Sequence, residues 1–232
     1  MNPATEKLAF VFDWDGTLVD SMGKFAEIAS GVIARHFGRS RAWGKARYLE
    51  TSGLPFPFQL ERIFPGDERN QKAVADYDHL KIESYDSAPF FSDVKPALEW
   101  LSGKGVGLAI SSNNDYPLLE KKLGALAPLF DCVAGFEPGF LKGKSHFDWI
   151  RGRLKGHRLI FVGDSLHDAA MAGGNGIPFY ARTGTFTEDD FKLQGIASGC
   201  ISTLFDLEKV HANSSFGRGD GDASRAASSS AP

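Results

Sequence analysis

The chain has 232 residues, 42% hydrophobic and 24% charged, which is enough for one sizeable core or a core with a small insertion and excludes three domains. Its 26 basic and 29 acidic residues leave a formal net charge of −3, so it has no basic footprint for nucleic acid. Two cysteines, Cys132 and Cys200, exclude a disulfide framework. They read as buried thiols in a reducing compartment. No leader of basic then apolar residues opens the chain, and no apolar run approaches the ~18 residues of a membrane span. The expectation is a cytoplasmic protein without a membrane partner.

The first predicted element is the buried strand Leu8–Phe12, which runs directly into Asp13-Trp14-Asp15-Gly16-Thr17. Two carboxylates spaced i, i+2 at a strand end suit a hard cation with oxygen ligands, such as Mg²⁺. From Asp20 to about Ala88 the strand pattern stops. Met22, Phe25, Ile28, Val32 and Ile33 trace an amphipathic helix. Helical spacing continues through Trp43–Thr51, breaks at Ser52-Gly53-Leu54-Pro55, and resumes over Gln59–Phe64 and Asn70–Tyr85. This segment reads as a helical insertion placed above the carboxyl edge of a sheet, where open α/β proteins bind ligands.

Beyond it, Val94, Ala97, Leu98 and Leu101 form a helical stripe ended by Gly103 and Gly105. Strand-like runs follow at Val106–Ile110, Cys132–Ala134, Leu159–Val162 and Phe179–Ala181. Between the first two of these, a helix is expected from Pro117 through Leu126. Strand then helix, repeated, predicts an α/β fold with a doubly wound, Rossmann-like parallel sheet and an inserted α-helical cap. The expected divisions are a core of residues 1–20 plus 89–210, a cap over 21–88, and a tail over 211–232. The tail, rich in Ser, Gly, Ala, Asp and Arg, is expected to be disordered, because so polar a composition buries too little surface to offset its ordering entropy.

A carboxylate that attacks a phosphate needs positive charge to offset repulsion between the two anions. The later strand ends supply suitable partners. Ser112 and Asn113 follow Gly107–Ile110, and Lys144 opens the next helical segment. Asp164 and Asp168 lie in Gly163-Asp164-Ser165-Leu166-His167-Asp168 after the strand Leu159–Val162. Taken singly, Ser112 reads as a helix cap, Lys144 as a surface lysine and Asp168 as a first-turn acid.

These four blocks, in this order over residues 8–210, resemble the haloacid dehalogenase superfamily. The resemblance implies Asp13 as nucleophile and metal ligand, and Asp15 as general acid/base that also offers its backbone carbonyl to the metal. It implies Ser112, Asn113 and Lys144 as phosphate-binding groups, Asp164 as the remaining metal ligand, and Asp168 as the residue that orients water or the lysine. Lys142 competes with Lys144 for the lysine role. Ser145 and Phe147 stand where the family often has prolines, which leaves that loop less constrained. The acid at Asp15 favours phosphate esters over the family's carbon–halogen and carbon–phosphorus chemistries.

The implied enzyme is a Mg²⁺-dependent phosphatase, phosphoglycolate phosphatase-like, acting on a small phosphorylated metabolite. A phosphosugar mutase or phosphotransferase is an alternative of the same superfamily, although the mutase branch typically carries Glu in place of Gly163. A catalytically silent binding or regulatory module is the alternative of another class. The substrate contacts expected from the cap are Ser52, Gly53 and Arg62, with Thr51, Gln59 and Lys81 as further candidates. A solvated helix face is the simpler reading for Arg62 and Lys81. The oligomeric state is open.

Overall fold

A computed structural model of the chain describes residues 7–195 and 197–216. Six parallel strands form one sheet: β1 (Lys7–Phe12), β2 (Gly107–Asp115), β3 (Cys132–Phe136), β4 (His157–Gly163), β5 (Phe179–Arg182) and β6 (Gly199–Ile201), in the spatial order β3-β2-β1-β4-β5-β6. The fold is α/β, as expected from the alternation of apolar runs with helical spacing. Strand β1 lies at the centre because both of its faces are apolar. Phe10 and Phe12 pack on one side with Leu108, Ile110, Ile160 and Val162, while Ala9 and Val11 pack on the other with Ala109, Leu159 and Phe161. A strand buried on both faces carries no polar alternation.

Helices cover the two faces. The stripe Val94, Leu98 and Leu101 of α5 (Val94–Gly103) joins the cluster on the Phe10 side. Phe147 and Ile150 of α7 (Lys144–Arg153), Ala169 and Ala172 of α8 (Leu166–Gly174), and Phe191 of α9 (Glu188–Gln194) join the other. The helix that starts near Pro117, α6 (Tyr116–Leu123), is shorter than its apolar spacing suggests. A 3₁₀ turn over Gly124–Leu129, with Pro128 inside it, takes over before Leu126.

Between β1 and α5 lie four helices: α1 (Met22–Phe37), α2 (Arg41–Glu50), α3 (Phe56–Ile63) and α4 (Asn70–Tyr85). The chain leaves and re-enters the sheet side by side. Asp20 N–H donates to Pro89 O at 2.9 Å and Phe91 N–H to Leu18 O at 3.0 Å. The helices share one apolar cluster with the sheet, running from Phe12 and Trp14 through Phe25 to Tyr48, Phe56 and Tyr77. No helix among the described residues is long and apolar enough to cross a membrane.

Three features depart from expectation. Strand β6 was not anticipated, because three residues at a sheet edge leave no apolar run to read. Cys132 is buried, but Cys200, on that edge strand, is only partly covered. A last helix, α10 (Leu207–Phe216), extends into the segment expected to be structureless from 211. Val210 closes on the core, and His211 meets the Trp100 ring edge-on at 5.7 Å, which holds the start of that segment. The rest of the proposed tail, 217–232, lies outside the described residues.

Candidate active site

The order of strands reverses about β1, since the chain runs from β1 to β2 and β3 on one side and then to β4, β5 and β6 on the other. The carboxyl ends of β1, β2 and β4 therefore meet at the point where open α/β sheets bind ligands. Asp13 follows β1, Ser112 and Asn114 lie in the C-terminal half of β2, and Asp164 follows β4.

Asp13, Asp164 and Asp168 are buried, and each offers a carboxylate oxygen within 4.8 Å of the others'. A single ammonium enters this cluster, and it belongs to Lys142. Its Nζ lies 2.5 Å from Asp13 Oδ1 and 2.6 Å from Asp168 Oδ1, with the lysine side chain 3% exposed. Lys144 is placed elsewhere, on the surface of α7, where its 78% exposed side chain pairs with Asp148 one helical turn on. The expectation for Lys144 is therefore corrected to Lys142. Gly143, between them, has φ +123°, a conformation that L side chains rarely adopt. The turn there separates the two lysines, with Lys144 opening the exposed face of α7 and Lys142 falling in the loop above the sheet.

Three carboxylates around one ammonium leave the cluster short of positive charge. Burial pushes the Asp13 carboxyl up to about 7, with Lys142 working against the shift and Asp168 adding to it. Burial also drives Asp164 well above its ordinary value, and Asp13 and Asp168 reinforce it. Burial disfavours the charge on Lys142 too, but Asp13 and Asp168 outweigh that cost and raise its pKa. A buried, all-oxygen donor set with excess negative charge is the chemistry of a divalent hard-cation site.

The other parts are held tightly. Asp168 accepts from Ser165 Oγ at 2.7 Å, and the same hydroxyl accepts from the Asp168 N–H, which caps α8. Thr185 Oγ1 donates to Asp164 Oδ2. Gly16, at φ +79°, is required by close approach, because a Cβ there would stand 2.0 Å from Asp164 Oδ2. Asp15 lies beside the cluster, accepting at Oδ1 from Ser21 Oγ at 2.5 Å and at Oδ2 from Asn114 Nδ2 at 2.6 Å. Ser112 is buried and its Oγ accepts from the Asn114 N–H at 3.1 Å; Asn113 also lines the site. His146, fully buried, bonds Ser111 through Nδ1 at 3.0 Å, and burial lowers its pKa to about 4, so it ties the lysine loop to β2 as a neutral ring.

Above these groups is a cavity of about 170 Å³, walled by Met22, Phe25, Leu54 and Phe56. That is below the ~300–1,000 Å³ common for drug-sized ligands. Gly53 lines it and presses on the core, since a Cβ there would stand 2.4 Å from Ser165 Oγ. Ser52 is buried with its hydroxyl unpartnered and is not in the lining. Arg62 is exposed and also absent from the lining, so as a substrate contact it is corrected to a surface residue. Thr51 and Gln59 serve the loop itself, with Thr51 Oγ1 donating to Gln59 Oε1 and Gln59 Nε2 to Leu54 O, each at 2.8 Å.

Three residues at the site lie beyond the sequence signals: Asn114, Ser21 and Thr185, which reaches Asp164 from the segment after β5. Asn114 joins Asn113 there, and alternation along β2 puts Ser112 and Asn114 on one face. Ser21 gave no signal, because its contact with Asp15 depends on how the chain turns after Val19.

The family model for haloacid dehalogenase-like hydrolases matches residues 8–176, which include the carboxyl ends of β1, β2 and β4. The chain belongs to the haloacid dehalogenase-like hydrolase family. Among curated relatives it is 30% identical over 186 residues to a phosphoglycolate phosphatase of Yersinia pseudotuberculosis, covering 74% of this chain and 79% of that one. It is 25% identical over 211 residues to a phosphoglycolate phosphatase of Synechococcus elongatus, covering 86% and 94%. A haloacid dehalogenase-like family hydrolase from Streptococcus pneumoniae superposes with a TM-score of 0.72 at 22% identity, covering 89% of this chain and 99% of that one, and shares its fold. A fold shared at that identity places the strand ends but not the substrate.

Proposed function

We propose that this haloacid dehalogenase-like phosphatase hydrolyses a small phosphomonoester, phosphoglycolate or a close analogue, through a phosphoenzyme on Asp13. The observation that carries the reading is the buried Lys142 ammonium 2.5 Å from Asp13 and 2.6 Å from Asp168. A fixed positive charge beside Asp13 supports the reading, because an anionic phosphoryl group and an anionic nucleophile repel unless one offsets them.

In the first step an Asp13 carboxylate oxygen attacks phosphorus, the bond to the ester oxygen breaks, and Asp15 gives that oxygen its proton. In the second, Asp15 takes a proton from water, the water oxygen bonds to phosphorus, and the Asp13–phosphate bond breaks to release inorganic phosphate. Ser112 and Asn113 bind the phosphoryl oxygens, and Asp168 orients Lys142. Asp13, Asp164 and the Asp15 backbone carbonyl would hold Mg²⁺, which when bound would neutralise charge on the transferring group. The helices of residues 21–88 act as a cap that excludes water from the cavity.

Gly163 supports hydrolysis over the mutase alternative. A Cβ there would stand 2.9 Å from Asp168 Cβ and Oδ2, so the glutamate typical of the mutase branch does not fit without displacing Asp168.

Two measurements test this reading. Phosphate release from a panel of small phosphomonoesters should require Mg²⁺ and stop with chelator; equal rates in both would sink the metal assignment. Mg²⁺ should also raise the melting temperature by about 3–10 °C at saturating concentration. In metal-free protein the folded state keeps protons on Asp13 that the unfolded chain gives up above pH ~4. Metal-free stability should therefore fall as pH rises from ~4 to ~7, and the gain from Mg²⁺ should be larger at pH 8 than at pH 5. A pH-independent gain would contradict the placement of the ion among these acids.

A further inference from the structure

Lys81, a candidate substrate contact in the sequence with a solvated helix face as its simpler reading, lines the active-site cavity from α4. Its Nζ donates to Asn114 Oδ1 at 2.7 Å, and Asn114 Nδ2 donates onward to Asp15 Oδ2 at 2.6 Å. The ammonium also stands 5.0 Å from the Phe25 ring centroid. These partners are a neutral amide and an aromatic face, and neither cancels its charge. The other ammonium in the cavity, Lys142, is already shared between Asp13 and Asp168. Among the described residues no carboxylate pairs directly with Lys81; Asp78, three residues earlier on α4, borders the cavity and interacts with it electrostatically without a direct contact. A cation with no direct carboxylate contact in a small, partly desolvated site attracts an anion more strongly than one in open water.

The hydrogen bonds set Lys81 one amide beyond Asp15. In the proposed mechanism the phosphoryl group lies at Asp13 and Lys142 and the ester oxygen at Asp15, so an alcohol fragment that starts there would extend toward the other lining groups, the apolar Met22, Phe25 and Phe56 and the Lys81 ammonium. We infer that Lys81 is a specificity-determining residue that binds a carboxylate on the alcohol fragment, which makes small phosphorylated hydroxy acids the preferred substrate class over neutral phosphoesters of equal size. The inference rests on the phosphatase reading of the site.

The test compares three esters with the same two-carbon skeleton: 2-phosphoglycolate, 2-hydroxyethyl phosphate and O-phosphoethanolamine, ending in a carboxylate, a hydroxyl and an ammonium. Wild type should favour 2-phosphoglycolate over 2-hydroxyethyl phosphate by about tenfold or more in kcat/KM, the effect of one charge-assisted hydrogen bond. Lys81→Gln, which can still donate to Asn114, should bring that ratio to within about threefold of unity. Lys81→Glu should turn the preference toward O-phosphoethanolamine. A wild type with no preference, or variants that slow on all three esters with unchanged ratios, would overturn the inference and leave Lys81 as a brace for Asn114. Failure of the wild type to hydrolyse these esters and p-nitrophenyl phosphate alike would instead bring down the phosphatase reading, and this inference with it.

Discussion

Lys142→Met is expected to slow turnover by orders of magnitude and Lys144→Met to leave it close to wild type, although the two lysines are separated by a single glycine. Removing the Lys142 ammonium takes out the one positive charge that, among the described residues, pairs with a cluster of three buried carboxylates. Breaking one partner out of a buried ion pair typically costs about 3–5 kcal/mol, because the remaining charge stays buried without compensation. The melting temperature should fall accordingly, and Mg²⁺ should recover part of it by supplying the missing charge. The rate should fall by about 10²–10³-fold or more, the usual cost of losing one preorganised electrostatic contact to a transition state. Lys142→Arg separates the two effects. It keeps the charge, and with it much of the stability, but the planar guanidinium cannot reproduce the compact contacts to Asp13 and Asp168. Its rate should remain low. Lys144, by contrast, belongs to an exposed i, i+4 pair with Asp148, a class of contact that contributes little. A Lys144→Met enzyme as impaired as Lys142→Met would overturn the assignment.

The second large effect concerns the two acids after β1. Asp13→Asn should reduce phosphate release by about 10⁴-fold or more, since an amide cannot form the phosphoenzyme and nucleophile losses in a cooperating set are of that order. Beryllofluoride, which binds as a phosphoryl mimic on a carboxylate, should give an adduct with wild type and none with Asp13→Asn. Asp15→Asn should differ in kind. Its nucleophile is intact, so the adduct should still form, while turnover falls by about 10²–10⁴-fold from loss of proton transfer. The loss should be smallest on esters with acidic alcohols such as p-nitrophenol, whose oxygen leaves without protonation. The two variants behaving alike on every ester and in adduct formation would contradict separate roles for the two acids. Neither change should unfold the chain. Asp13→Asn removes a buried charge that burial already disfavours, and Asp15→Asn keeps an acceptor oxygen for one of the two contacts, from Ser21 and Asn114, that hold the side chain.

The sequence by itself determined the parts whose signal is local. The five longer strands are apolar runs, and the central one, Leu8–Phe12, has no polar alternation because both faces are covered. Helix α4 is bounded at Asn70 and Tyr85 as its spacing predicts. The acids at strand ends, Asp13, Asp15 and Asp164, could be read in the same way, since a strand end fixes where the next side chains emerge. What only the tertiary structure decided are the choices between neighbours. Lys142 or Lys144 depended on the turn at Gly143, which no spacing rule supplies. That Asn114, beside Asn113, holds Asp15 depended on which face of β2 looks toward that acid. Arg62 and Lys81 are both basic residues on predicted helices, and sequence treats them alike. The packing of α3 and α4 over the sheet leaves Arg62 in solvent and turns Lys81 onto Asn114. A local pattern records which face of an element is apolar. Which polar residue of two adjacent ones faces a site is set by contacts between segments, here ones 33 residues apart for Lys81 and Asn114 and 129 apart for Asp13 and Lys142, and only the folded chain brings those together.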